Sequence, residues 1–345
     1  MSELISGKVG ELLTQIQRGE RITAEHISAF LDHPDRVFLT PPQHGTLRFL
    51  WNDIRGCKLL SVVDGTPVFL NSVGGAYVHV TYGSQTGPQL ERIVGKVSIV
   101  DGEPFCAGFI RGDSDDVSFF HGSRQLMSVP YSHVCGIQLV DGKPLYVSIS
   151  AGRKAAAVRH GTTCINGKYY EGALSPLCVN GKYAFIVDEA SGQHVIFEDV
   201  PGKMYASVWG LSIVNDKPLY AASLGEKHYV VHGDVEIRGV RDKVIGDPLC
   251  ADSCYCYTRE RYGKQQFINQ WCGPFFDEVV YSTVVNGIPL HAGRNGREFI
   301  VLHGSKNYPL PGVWTAVHEV LPADNGVKVI AQLGRSFYEL VLWDE

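Results

Sequence analysis

A turn dipeptide followed by an apolar, usually proline-bearing stretch returns eight times after Gly45, and this repeat limits the chain more than any other feature. The instances are Asp64-Gly65-Thr66-Pro67, Asp101-Gly102-Glu103-Pro104, Asp141-Gly142-Lys143-Pro144, Asn180-Gly181, Asn215-Asp216-Lys217-Pro218, Gly246-Asp247-Pro248, Asn286-Gly287-Ile288-Pro289 and Asn325-Gly326, at intervals of 31 to 40 residues. Asn-Gly and Asp-Gly between apolar runs favour two-residue hairpins, because both central residues of such a turn take φ > 0. The spacing therefore predicts eight hairpins, one per repeat.

Two further marks keep the same order in each unit. Before the turn stands a residue, usually aromatic, three positions ahead of an aliphatic one: Trp51 and Ile54, Tyr131 and Val134, Tyr170 and Ala173, Tyr205 and Val208, Phe276 and Val279, Trp314 and Val317, with Leu90 and Arg241 at the equivalent places in the other two units. After the turn comes Tyr82-Gly83, His121-Gly122, His160-Gly161, His232-Gly233 or His303-Gly304. Each unit accommodates four short strands. In the fifth they are expected near residues 209–214, 218–223, 227–232 and 235–239, with no helix between them. Four antiparallel strands per repeat describe the blade of an all-β propeller, here of eight blades, or alternatively seven. The last unit stops after a third strand, and residues 46–51 are available to supply the fourth, which would close a ring and hide both sheet edges.

The unit resembles short bacterial propeller-type repeats built on an Asp-Gly-Lys-Pro-Leu-Tyr core with a following aromatic-or-His-Gly. Asp141–Tyr146 and Asn215–Tyr220 match that core best. The resemblance spans residues 46–345 and is to an architecture, so it implies no activity and transfers no catalytic residue. The sixth unit departs from it, with a short first strand and a long second one.

Ahead of the repeats, residues 1–44 read as a helical segment. Leu4, Ile5, Val9, Leu12, Leu13 and Ile16 fall at helical spacing, and Thr23 suits the N-cap of a second short helix carrying Ile27, Phe30 and Leu31, closed by Pro34. Such helices must pack on something, either on the repeat domain of residues 45–345 or on a second copy of the chain. Hydrophobic residues make up 44% and charged ones 19%, enough for a sizeable core. The net charge of −5 offers no attraction for nucleic acid or an anionic membrane. No apolar run reaches transmembrane length, and Met1-Ser2-Glu3-Leu4 does not open a secretory signal. Nine cysteines, an odd number without framework spacing, read as reduced thiols in a cytoplasmic protein.

Chemical motifs are few. G-x-S-x-G, a Walker A loop and G-x-G-x-x-G are absent. His318-Glu319 starts like a zinc-protease motif, but Pro322 stands where the second histidine belongs. The repeated His121, His160, His232 and His303 fall on different blades, where hairpin-end hydrogen bonding accounts for them better than a shared acid–base or metal site. Cys250, Cys254, Cys256 and Cys272 invite a zinc reading, yet along a strand Cys250 and Cys254 would lie about 13 Å apart, too far to share a tetrahedral ion. Buried thiols are the expectation there, and no cofactor is expected. Arg111-Gly112-Asp113 is a chance-level tripeptide, and Asp113, Asp115 and Asp116 lack a full calcium pattern.

One positional hint remains. The turns joining second and third strands should share one face, and on the last three units they carry Arg259, Arg261, Lys264, Arg294, Arg297 and Arg335 against Glu260 and Glu298. An acidic protein surface or small anionic ligand could dock on such a basic arc. The expected function is a non-enzymatic binding scaffold. The alternative is a hydrolase or lyase acting on a carbohydrate or phosphate ester at the central channel, which would need carboxylates or histidines on first strands that here are mostly apolar, as in Leu211–Val214.

Overall fold

A computed structural model describes residues 45–52, 57–73, 76–110, 116–130, 134–150, 155–240, 242–251, 254–268, 273–312, 314–334 and 336–343. The helical reading of residues 1–44, and with it any contact to a second copy through those helices, lies outside the described residues.

Among the described residues the strands form eight four-stranded antiparallel sheets, each a blade of the β-propeller kind. Blade one comprises Cys57–Val63, Thr66–Val73, Tyr77–Tyr82 and Gln85–Thr86. Blade two comprises Arg92–Val100, Glu103–Phe109, Asp116–His121 and Arg124–Pro130, and blade three Val134–Val140, Lys143–Ser150, Ala155–His160 and Thr163–Cys164. Blade four is built of Gly172–Val179, Lys182–Glu189, Gly192–Phe197 and Val200–Pro201. Blade five follows with Ser207–Val214, Lys217–Leu224, Lys227–His232 and Val235–Val240, and blade six with Lys243–Ala251, Cys254–Arg261, Lys264–Ile268 and Phe275–Phe276. Blade seven is Glu278–Val285, Ile288–Asn295, Glu298–His303 and Lys306–Pro309. Blade eight takes Ala316–Ala323, Gly326–Leu333 and Ser336–Trp343, and its fourth strand is Gly45–Asn52, paired antiparallel to Ser336–Trp343 from Gly45 opposite Leu342 to Asn52 opposite Ser336. The chain divides into two compact units. Arg55–Phe275 holds blades one to six; Phe276–Glu345, with the stretch through Ile54, holds blades seven and eight.

The turns explain the repeat. Asp64-Gly65, Asp101-Gly102, Asp141-Gly142, Asn180-Gly181 and Asn286-Gly287 all hold both residues at positive φ, between 48° and 76°, which is the two-residue hairpin geometry these dipeptides accept at least cost. Two of the expected turns fall elsewhere. In blade six, Gly246-Asp247-Pro248 lies inside the first strand, and the hairpin closes beyond it, with Ala251 opposite Cys254. In blade eight the turn residues are Asp324 and Asn325, and Gly326 is already paired with Ala323.

Blade six shows what Gly246 does. Its φ of 72° opens a bulge between Ile245 and Leu249, and bulges recur in the first strands of blades two to five, with Gly95, Gly136, Ser175 and Gly210 at positive φ. Each of these residues stands two positions after the aliphatic residue of the aromatic mark. Neighbouring blades approach closely there. A Cβ on Gly136 would lie 2.4 Å from Cδ of Pro176 in the next blade, and one on Gly210 would lie 2.8 Å from Cα of Asp247.

The aromatic mark, with Leu90 in its place after blade one, closes the junctions after blades one, three and four. Leu90, Tyr170 and Tyr205 form isolated bridges to Val78, Ala156 and Gln193 on the third strand of the blade just completed, before the chain enters the next one. Apolar clusters then fill the space between consecutive sheets. Phe105, Phe119, Val134 and Tyr146 join blades two and three; Leu145, Val158, Phe185 and Val187 join three and four; Leu290, Phe299, Trp314, Val329 and Tyr338 join seven and eight. A fully buried side chain of this size contributes roughly 1.5–3 kcal/mol.

Candidate functional site

The repeated histidines are fasteners. Nε2 of His121, His160 and His232 each lies 2.9 Å from the last carbonyl of the first strand in its own blade, at Val100, Val140 and Val214. With Nε2–H donating to that carbonyl, Nδ1 is the acceptor, and the hydroxyls of Tyr183 (2.9 Å from His160) and Tyr255 (2.7 Å from His232) in the following blades donate to it. These are the local hydrogen bonds expected of a hairpin-end histidine, extended by one bond to the neighbouring sheet. In blade one the hydroxyl of Tyr82 reaches the carbonyl of Val63 instead, at 3.4 Å.

The cysteine cluster is spread by the strand register. Leu249 opposes Cys256 and Cys250 opposes Tyr255, so Cys250 and Cys256 point to opposite faces of blade six. Cys254 opposes Ala251 in the same hairpin, and Cys272 lies outside the described residues. Among the described residues no group of three His, Cys, Asp or Glu side chains has metal-holding geometry. Elsewhere, burial pushes the Cys106 thiol up to about 12.

The basic residues of the second–third turns sort into different roles. Arg259 is held inside blade six: Nη1 meets Asp242 at 2.8 Å, while Nε and Nη2 donate to Oε1 of Gln266 at 3.0 and 2.7 Å. Gln266 in turn donates to the carbonyl of Gly273 at 2.6 Å. Arg261 lies 3.7 Å from the same Asp242, and its guanidinium sits 5.0 Å from the ring centre of Tyr262. Lys264 faces Arg261 across the turn and is exposed. In the other unit, Arg294 pairs with Glu278 at 2.8 Å, and exposed Arg297 has no partner among the described residues. Arg335 lies outside them. Arg259 therefore serves the sheet, and the other described cations remain at turn surfaces.

Sequence reasoning passed over the residue between them. Tyr262 is 89% exposed and sits at φ 54°, in a turn position that Gly225, Gly296 and Gly334 fill in other blades at φ 58–59°. A left-handed conformation costs a residue with a side chain roughly 1–2 kcal/mol. The only signal in the sequence is an aromatic where sister turns have glycine.

No family model matches the chain, and no curated protein matches it in sequence. Among solved structures it is similar to dihydro-heme d1 dehydrogenase NirN in complex with DHE, at 9% identity and a TM-score of 0.47, covering 94% of this chain and 85% of that one. It is also similar to the β-propeller domain of the Trilobed protease from Pyrococcus furiosus (12% identity, TM-score 0.44, 75% of this chain and 99% of that one) and to Kluyveromyces lactis Hsv2 (10%, 0.41, 87% and 99%). Likenesses at this level carry neither residues nor activity across.

Proposed function

We propose that the chain is a non-enzymatic binding scaffold that presents the turns between second and third strands to an anionic partner, either a carboxylate-rich protein surface or a small phosphate-bearing ligand. The observation that carries this reading is Tyr262. Strand interiors repeat apolar residues from blade to blade because packing demands them, whereas an exposed tyrosine in a left-handed turn position meets no requirement of the sheet. Residues kept against local preference on a rigid frame are candidates for contact with something else. Arg261, Lys264, Arg294 and Arg297 supply cationic groups at turns of the same kind, and Tyr and Arg are the side chains that most often anchor interfaces. The same reading keeps the ring closure expected from the sequence, for which Gly45–Asn52 gives blade eight its fourth strand. It places the protein in the cytoplasm, in keeping with thiols outside any disulfide at Cys57, Cys106, Cys135, Cys164 and Cys178.

The test compares the immobilised wild-type chain with Arg294→Glu/Arg297→Glu in partner capture at low and raised salt. A partner held by the wild type, and lost by both the charge reversal and the salt, is the expected result. Equal capture by the two proteins removes the basic turns from the reading.

A further inference from the structure

Within the unit Arg55–Phe275, turns fall at two ends. First–second and third–fourth turns share one end: Lys182, just after the first turn of blade four, pairs with Asp216 in the corresponding turn of blade five at 3.4 Å, and the histidine–tyrosine bonds join blades at that same level. Second–third turns, including Tyr262-Gly263, lie at the other end, because the strands alternate in direction.

The first end carries an anomaly on blades four and five. Gly83, Gly122, Gly161 and Gly233 open the third–fourth turns of blades one, two, three and five at φ 55–60°. Blade four puts Glu198 in that position at φ 47°, followed by Asp199 at φ 67°. Immediately beyond these turns stand Val200, 67% exposed, and its counterpart Val235 on blade five, 63% exposed. Glu198, Asp199 and Asp234 around them have no ion-pair partner among the described residues. The two turns are tied together through the sheets that carry them. Glu198 N–H donates to the Tyr183 carbonyl at 3.0 Å, Lys182 reaches Asp216, and Gly233 N–H donates to the Pro218 carbonyl at 2.8 Å. Lys203 is paired with Glu236 beside Val235, and Lys217 lies against Gly233, so the carboxylates left for a partner are Glu198, Asp199 and Asp234. An exposed valine bordered by such carboxylates suits an aromatic side chain flanked by cations.

The unit carries such a group at its opposite end, in Arg261-Tyr262-Gly263-Lys264. Counting its strand neighbours, Lys243, Arg259, Arg261 and Lys264 stand against Asp242 and Glu260, an excess of two positive charges. We propose that the blade-six hairpin of one molecule docks on the Val200 and Val235 turns of a second copy of the chain, Tyr262 against an exposed valine and Arg261 and Lys264 toward Glu198, Asp199 and Asp234. This rests on the binding-scaffold reading for the role of the hairpin and names its partner. Because donor and acceptor lie at opposite ends of one unit, the contact is head-to-tail and can propagate from copy to copy. One hairpin on one patch falls short of the roughly 1,200 Å² of a stable interface, so association depends on concentration and weakens with salt.

Sedimentation velocity on the full chain, over a concentration series at low and high salt, tests this. The wild type is expected to self-associate. Arg261→Glu/Lys264→Glu and Glu198→Lys/Asp199→Lys should each be monomeric, and mixing the two should restore association, since each reversed surface meets its complement. Tyr262→Asn guards against misfolding as an explanation, because asparagine suits φ > 0. It should raise the denaturation midpoint while abolishing association. A wild type that stays monomeric throughout, or one whose association survives both reversals, or variants that fail to recombine, would each overturn the proposal. A monomer that still captures a partner through Arg294 and Arg297 leaves the binding-scaffold function standing.

Discussion

His291, in the second strand of blade seven, should make the protein's stability fall steeply in mild acid. The side chain is 1% exposed, its ring lies edge-on to Phe276 at 6.4 Å, and Ser282 and Leu302 oppose it on the flanking strands. Burial lowers its pKa from 6.5 to about 4. Near pH 7.5 the imidazole is neutral folded or unfolded and contributes nothing. As pH drops below 6.5, the unfolded chain takes up a proton that the folded chain refuses, so stability falls by as much as 1.36 kcal/mol per pH unit. The loss levels off near pH 4, where the folded form protonates too, after a total of about 3 kcal/mol. The repeat supplies the control. Tyr146, Phe185 and Tyr220 fill the equivalent position in blades three, four and five, so His291→Phe fits the sheet and removes the titration. Urea midpoints followed by circular dichroism at pH 7.5, 6.0 and 4.5 should show the variant gaining on the wild type as pH falls. His318 and His228 are shifted down by burial in the same way, and they leave a residual slope in both proteins. Parallel pH profiles for wild type and His291→Phe would refute the reasoning.

Two further outcomes follow from the blade junctions. Gly136→Ala should lower the urea midpoint by more than Gly142→Ala, because both residues sit at positive φ but only the first would press a Cβ against Pro176; the control should lose about 1 kcal/mol. A double-mutant cycle with His232→Ala and Tyr255→Phe should return a coupling of roughly 0.5–1.5 kcal/mol for their 2.7 Å bond, and zero coupling would mean that water replaces it at no loss.

The blades were legible where one residue type has one job. Asp-Gly and Asn-Gly mark their turns because few other pairs accept two positive φ values, and the aromatic mark shows because it must fill the gap between sheets. The reading failed at Gly246-Asp247-Pro248 because a bulge glycine and a turn glycine share the same backbone requirement, and only the pairing of Ala251 with Cys254 separates them. Sequence also could not tell Arg259 from Arg261. They lie two residues apart on one strand, yet the first is spent on Asp242 and Gln266 while the second borders solvent at the turn. Tyr262 passed unnoticed because its exposure and its φ are properties of a turn, not of composition.

The pairing of Gly45–Asn52 with Ser336–Trp343 also sets an order in time. Every other hairpin joins strands a few residues apart, so blades one to seven can assemble as the chain leaves the ribosome. Blade eight waits for its final strand, across a loop of about 300 residues. Closing that loop costs only about 2 kcal/mol more than closing one repeat, since each doubling of length adds about 0.6 kcal/mol. The delay is therefore a matter of kinetics more than of stability. Until Ser336–Trp343 has been made, Gly45–Asn52 lacks its partner strand, and translation speed decides how long it stays open to the wrong one.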